Sequence, residues 1–484
     1  MKSKHKISNK AFFTAIAAVL IFMSACKTFI TIDPPVTFTN ADLVYQNDPT
    51  AISAITSIYA SMANENFNGG IGFTLMSFYP GLSSDEYSLY NGNNDVQNRY
   101  YKNNLSAITT NSENFWNPIY STIFVANTAI NNMEKSTKLT GSIKNQLLGE
   151  AHFMRAFSYF YLVNLYGDVP LILSADYSLS SKTGRTAKAD VYAQIVKDLK
   201  EAQNLLNDQY LDGTLLNTTS ERVRPNKNVA TALLARAYLF TSEWAAAESE
   251  STKIIEDVAT YDTVSLDEAF LKNRKETIWA LQNVTTGTRA NTPEARVFIL
   301  PATGPSTLYP IYLNQKLVDS YEATDKRKAK WIRTLMLGTT PYNYPYKYKI
   351  GNVNTANAEY SIIFRVAEQY LIRAEARAQL NNLVGSNSAQ SDLDVIRHRA
   401  GLNGTTATSK EAMLSVILEE RRHELFSEWG HRWLDLKRTG TIDAVMQTAT
   451  ASKGGIWDTN WQLYPIPQDD ISRGINLVQN PGYN

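Results

Sequence analysis

VATALLARAYLFTSEWAAAESESTKII, Val229 to Ile255, carries two apolar helical stripes separated by a short polar turn at Thr241, Ser242 and Glu243. Leu234, Ala235 and Tyr238, followed by Ala247 nine residues on, fall at the spacing of the tetratricopeptide unit. In that unit small residues let two antiparallel helices approach closely, and the tyrosine fills the groove beside them. One such pair cannot bury its own apolar face, so its presence predicts a stack of neighbouring helices.

The flanking sequence supplies candidates. Trp116, Ile119, Tyr120, Ile123, Ala126 and Ile130 keep helical spacing within Phe115–Met133, and Leu147, Ala151, Met154, Tyr161 and Leu165 stripe the next segment. Gly167 and Pro170 stand where a helix should stop. Val191, Ile195, Leu199, Ala202 and Leu206 mark another stripe, and Ala51–Met62 a further helix. From Glu359 helices resume, with Glu359–Leu380 and Ser391–Ala400 as a second, looser pair. Between Val258 and about Tyr360 the period is lost: Pro301, Pro305, Pro310, Pro341 and Pro345 punctuate a stretch studded with tyrosines, and only Thr277–Leu281 reads as a strand. Residues 64–104, rich in Gly, Asn, Ser and Tyr, read as long loops. The expected fold is mainly α, a tetratricopeptide-like scaffold with a large loop-rich insert.

The N-terminus reads as an export signal. Lys2, Lys4, Lys6 and Lys10 precede the apolar run AFFTAIAAVLIFM, Ala11 to Met23, and then Ser24, Ala25 and Cys26. The run is shorter than the roughly 20 residues a membrane helix needs. Met23–Cys26 looks like a bacterial lipobox, in which the cysteine is acylated and becomes the new N-terminus. Cys26 is the only cysteine of the 484 residues, so no disulfide is expected, and a core of this size needs none. The organisation expected is a signal peptide over 1–25, a lipidated tether over 26–48, an N-terminal helical region over 49–257, and a C-terminal region over 258–484 whose insert spans 258–358. Loss of Lys2, Lys4, Lys6 and Lys10 takes the formal charge from +1 to −3. A chain so close to neutral, with no basic run, carries no electrostatic footprint for nucleic acid.

Catalytic patterns fail on inspection. His423 and Glu424 begin a zinc-protease motif, but position 427 is Ser where a second histidine is required. His398, His423 and His431 read as structural or solvated rather than as metal ligands. Asp85 and Glu86 are adjacent on a loop, a poor arrangement for the two separated carboxylates of a glycosidase. Phosphate-binding glycine loops and G-x-S-x-G are absent, so neither an enzyme nor a cofactor is expected. Arg155, among Phe153, Phe157 and Phe160, calls for a buried partner. The dense charges from Glu419 to Arg438 read as an internal ion-pair network, with Arg421–Glu424 and Glu428–Arg432 placed to meet on one helix face.

Four segments then resemble the SusD/RagB family of Bacteroidetes outer-membrane lipoproteins: GEAHFMRAFSYFYLVNLYGDVPLIL from Gly149, RPNKNVATALLARAYLF from Arg224, EERRHELFSEWGHRWLDLKRTG from Glu419, and LYPIPQDDI with QNPGY from Leu463 to Tyr483. The resemblance implies a surface lipoprotein that binds a nutrient, a glycan or sometimes a peptide, and hands it to a TonB-dependent barrel of the SusC type. It also implies a glycan site built as an arc of aromatic residues on the early loops and the insert. Here those regions hold Tyr87, Tyr90, Tyr100 and Tyr101, then Tyr309 and Tyr312, with Asp85, Asn91, Asn93 and Asn94 as hydrogen-bonding candidates. Tyr87, Tyr90, Tyr309 and Tyr312 are the expected ligand contacts. The acidic residues that many such lipoproteins carry soon after the cysteine are absent from Lys27 to Ile32; Asp33 is the first. A peptide-binding partner of a similar transporter and a purely protein-binding scaffold are the competing readings. A pure scaffold has no use for a tyrosine-rich lobe.

Overall fold

A computed structural model describes residues 41–63, 73–90, 94–108, 115–180 and 182–483. The signal segment, Cys26, the tether up to residue 40, Asn91 and Asn93 lie outside these residues.

Among the described residues eleven helices carry the scaffold: α1 (Asp48–Ala63), α2 (Trp116–Lys135), α3 (Gly141–Tyr166), α4 (Lys188–Leu205), α5 (Lys227–Phe240), α6 (Trp244–Glu256), α7 (Val366–Gln379), α8 (Ala389–Arg399), α9 (Lys410–Glu424), α10 (His431–Arg438) and α11 (Ile442–Ser452). From α2 to α8 each packs on the next, the stacking a repeat scaffold requires. Leu234, Ala235 and Ala247 are completely buried and Tyr238 nearly so, as the tetratricopeptide spacing predicts. Local chemistry sets the helix ends. The Asn226 side chain accepts from the Val229 N–H to cap α5, and Ser409 does the same for α9 from the Ala412 N–H. Gly167, at φ +76°, ends α3.

α6 packs directly on α7 although 109 residues of sequence separate Glu256 from Val366. The intervening chain leaves the stack and returns to it. Its departure and return are joined by β2 (Thr277–Leu281) and β6 (Ser361–Arg365), an antiparallel pair buried along its whole length. Trp279 of β2 lies 5.0 Å from Phe153 and 5.4 Å from Phe157, ring to ring, so this pair seals the middle of α3. The returning helix thus starts at Val366 rather than at Glu359, because Ile362, Ile363 and Phe364 form a buried strand.

The expected loops are more ordered than their composition suggested. β1 (Tyr87–Leu89) pairs with β3 (Ile311–Leu313), while β4 (Ile332–Leu337) and β5 (Thr340–Pro345) form a hairpin with Gly338 at φ +59° in its turn. Short helices occupy Tyr79–Ser83, Asp95–Tyr101, Pro293–Phe298, Gln315–Ser320 and Lys326–Trp331.

Candidate functional site

The β1–β3 ladder joins the early loop region to the insert. Its register sets Tyr87 against Leu313, Ser88 against Tyr312 and Leu89 against Ile311. The Tyr90 N–H donates to the Pro310 carbonyl at 2.6 Å and the Asn314 N–H to the Glu86 carbonyl at 2.7 Å, which extends the pairing at both ends. Alternation then divides the side chains between two faces.

Tyr87 falls on the inner face. It is 0% exposed, its hydroxyl donates to the Ser77 carbonyl at 2.9 Å, and its ring lies 5.8 Å from Phe298. It packs so closely on Gly81 that a Cβ there would stand 2.2 Å from the ring. A ring with no exposed face cannot stack on a sugar, so the expected contact at Tyr87 is replaced by a packing role.

The outer face gathers Tyr101, Tyr312 and Tyr342. Tyr312 meets Tyr342 of β5 edge-on at 5.1 Å, and Tyr101 and Tyr312 both approach the Ser88 hydroxyl. Burial pushes both phenols up, so they remain neutral hydrogen-bonding groups at physiological pH. Tyr90 is 37% exposed at the end of β1. Tyr309 is half-buried, and its hydroxyl accepts from the Asn352 side chain at 2.9 Å. Tyr90, Tyr309 and Tyr312 are thus held on or beside one two-stranded ladder. Tyr342 is the ring that sequence reasoning missed. The alternating tyrosines of PYNYPYKY, from Pro341, are a strand signal; the interspersed prolines hid it.

The polar candidates behave differently. Asp85 is committed: Arg432 donates to it at 2.7 and 2.9 Å and Arg422 at 3.0 Å. Burial alone would raise its pKa, but the two guanidiniums hold it down at about 2. Glu86 is buried, and that burial together with the charge on Asp85 pushes it up to about 7. The Asn94 side chain caps the helix Asp95–Tyr101 by accepting from the Gln97 N–H. A cleft of about 1200 Å³ opens elsewhere, between α1, the 211–224 segment and residues 281–287; none of the candidate tyrosines lines it.

Arg155 has the partner it requires, donating to Asp198 at 2.6 and 2.8 Å and to Asn127 at 2.9 Å. The charges of 419–438 do form a buried network, but not through the expected pairs. α9 ends at Glu424 and the chain turns through Ser427, Trp429 and Gly430 at positive φ, so Glu428 and Arg432 share no helix. Arg421 instead bonds Asp435 at 2.8 Å, and Glu424 meets Arg327, Arg365 and Arg399. His423 contacts the Ser320 hydroxyl at 2.9 Å and Glu419 at 3.2 Å. No group of three metal-ligating side chains occurs among the described residues.

The fold is thus a sequential helical stack that holds an ordered, tyrosine-bearing insert. Residues 47–239 match a family model described as starch-binding, associating with the outer membrane, and residues 328–483 match the SusD family model. The chain belongs to the SusD/RagB family, whose members are glycan-binding proteins rather than enzymes. It is 27% identical to SusD-like protein P2 of Formosa agariphila, with 89% of this chain and 92% of that one covered. Among solved structures it is similar to a SusD superfamily protein of Bacteroides vulgatus, with a TM-score of 0.76 and 21% identity over 90% of this chain and 99% of that one. It is also similar to a laminarin-binding SusD-like protein, with a TM-score of 0.72 and 24% identity over 91% and 100% of the two chains. None of the described helices is long and apolar enough to cross a membrane.

Proposed function

We propose that this protein captures an oligosaccharide on the outer face of the β1–β3 ladder and passes it to a SusC-type TonB-dependent barrel, while a lipid on Cys26 tethers it to the outer membrane at the cell surface. The observation that carries the reading is the ladder itself. It unites Tyr90 with Tyr309 and Tyr312, more than 200 residues away in sequence, beside Tyr342. Sugar rings present flat C–H faces that stack on aromatic rings, and their hydroxyls pair with phenols and amides. The family description of starch binding and the laminarin-binding relative support a glycan as the cargo.

The test is calorimetry of the soluble chain, begun after Cys26, against laminarin and starch oligosaccharides and against a peptide digest. Tyr90→Ala and Tyr312→Ala are each expected to weaken glycan binding about tenfold, about 1.4 kcal/mol. Parental affinity in both variants would remove the site, and binding of peptides alone would replace the cargo. Cys26→Ala is expected to free the protein from membranes in cells lacking the barrel; continued membrane association there would exclude the lipid as main tether.

A further inference from the structure

A second cleft, lined by none of the ladder tyrosines, lies at the start of α2. Trp116, Tyr120 and Phe124 follow one another at four-residue intervals and so share a helix face. They line a cavity of about 320 Å³ together with Pro170, Ile172, Asp470 and Leu477. That volume is within the range of about 300–1,000 Å³ usual for small-molecule sites. Trp116 is buried, and Tyr120 lies against it at 4.8 Å between ring centres. Phe124 is 54% exposed, which a ring serving only the helical stack would not be.

The cleft is preformed. Its far wall, 170–174, is tied to the scaffold by the Tyr120 and Tyr159 hydroxyls, which donate to the Pro170 and Ile172 carbonyls at 2.9 Å each. The Asn127 amide donates to the same Ile172 carbonyl at 2.9 Å, and Arg155 holds Asn127 in turn. The rim is polar in both senses: Asp470 accepts, Arg473 donates, and the Ser174 and Thr183 hydroxyls do either. Burial raises the Asp470 carboxyl, which marks a partly dehydrated acceptor. One exposed ring, Phe124, backed by the buried Trp116 and Tyr120, with mixed donors and acceptors at the rim, matches a pyranose better than a purely apolar side chain.

We infer that this cleft is a second carbohydrate site, taking one or two hexose units, separate from the tyrosine face of the β1–β3 ladder. The inference extends the glycan reading but does not share its residues, so the two fail independently. The test labels the soluble chain with 5-fluorotryptophan, identifies the Trp116 resonance by its loss in Trp116→Phe, and titrates maltose and laminaribiose. A saturable shift of Trp116 is expected. It should persist in Tyr90→Ala and Tyr312→Ala and fall at least about tenfold in apparent affinity in Phe124→Ala, with 1.4 kcal/mol per tenfold. Arg473→Ala, at a side chain 75% exposed and so harmless to folding, should weaken it too. A Trp116 resonance that ignores both sugars overturns the second site and leaves the cleft to a protein partner. A shift that disappears in Tyr312→Ala overturns it as well, by reducing the two sites to one. A Trp116 shift that persists while calorimetry finds no binding at the ladder would retire the first reading and keep the second.

Discussion

The helical stack and the joint where the insert meets the returning helices are equally buried, yet they are held by different chemistry. In the stack most buried arginines close on one carboxylate, although Arg377 takes Glu248 and shares Asp392 with Arg373. Arg155 takes Asp198 and Arg236 takes Glu368, each by two hydrogen bonds, while small residues and aromatic rings do the packing around them. At the joint, charges branch. Arg365 reaches Glu276, Glu424 and Glu428; Arg399 shares Glu276 and Glu424; Lys347 shares Glu428; Arg327 ties Asp325 to Glu420 and Glu424. A stack of regular helices satisfies its own backbone, so a few ion pairs suffice beside its packing. An insert of short elements leaves and re-enters the core without that regularity, and multi-branched guanidinium contacts fix its geometry instead.

The largest expected effect therefore lies at the joint. Arg365→Leu would leave Glu276, Glu424 and Glu428 each short of a buried partner and should cost about 3–5 kcal/mol in urea unfolding. A loss below about 1 kcal/mol would show that the network does not hold the insert. In the stack the corresponding break is steric: Ala247→Leu, at a site with no exposed surface, should cost about 1–3 kcal/mol through overpacking between α5 and α6. An unchanged denaturation midpoint would mean that the close helix approach read from the sequence is not needed.

Acidity sharpens the contrast further. Glu294 of the insert is buried with the Ser361 hydroxyl donating to it at 2.5 Å, and burial raises it from its ordinary 4.5 to about 7; Glu86 moves the same way. Both titrate higher in the folded chain than in the unfolded one. At these two sites the folded state thus holds extra protons between pH 4.5 and 7, and their contribution to stability falls as pH rises through that window, by about 1.4 kcal/mol per pH unit for each fully responding group. Lys453, lowered by burial to about 7, stays charged in both states across most of the window and adds little slope there. His431, held below its ordinary value by burial, titrates in the opposite sense, so the test is the change of slope. Glu294→Gln should make the slope of stability against pH less negative in thermal melts at pH 5, 6 and 7, and an unaltered slope would assign it to other groups. The smallest expected effect is at Tyr90, where loss of an exposed ring should change stability by no more than about 0.5 kcal/mol while binding falls. A large stability loss there would make Tyr90 a packing residue like Tyr87.

Tyr87 and Tyr312 show how far the sequence could be read at the site. Both sit in polar, tyrosine-rich stretches without helical period, and both resembled loop residues free to meet a ligand. Which of them points inward depends on strand alternation and on the one-residue register of a ladder between segments far apart in sequence, and neither stretch encodes that alone. Asp85 went astray for a related reason, since its two arginines come from α9 and α10.

The sequence by itself determined most of the long scaffold helices and the close α5–α6 pair, because period, capping residues and small-residue spacing act within a few turns of one chain segment. It also determined the family, through segments whose order is preserved along the chain. Only the tertiary structure decided which carboxylate each buried arginine takes, that β2 and β6 close the insert back onto α3, and which tyrosines keep an exposed face. Those outcomes rest largely on pairings between different elements of the chain, where burial forces charges and strands to find partners and local sequence does not say which.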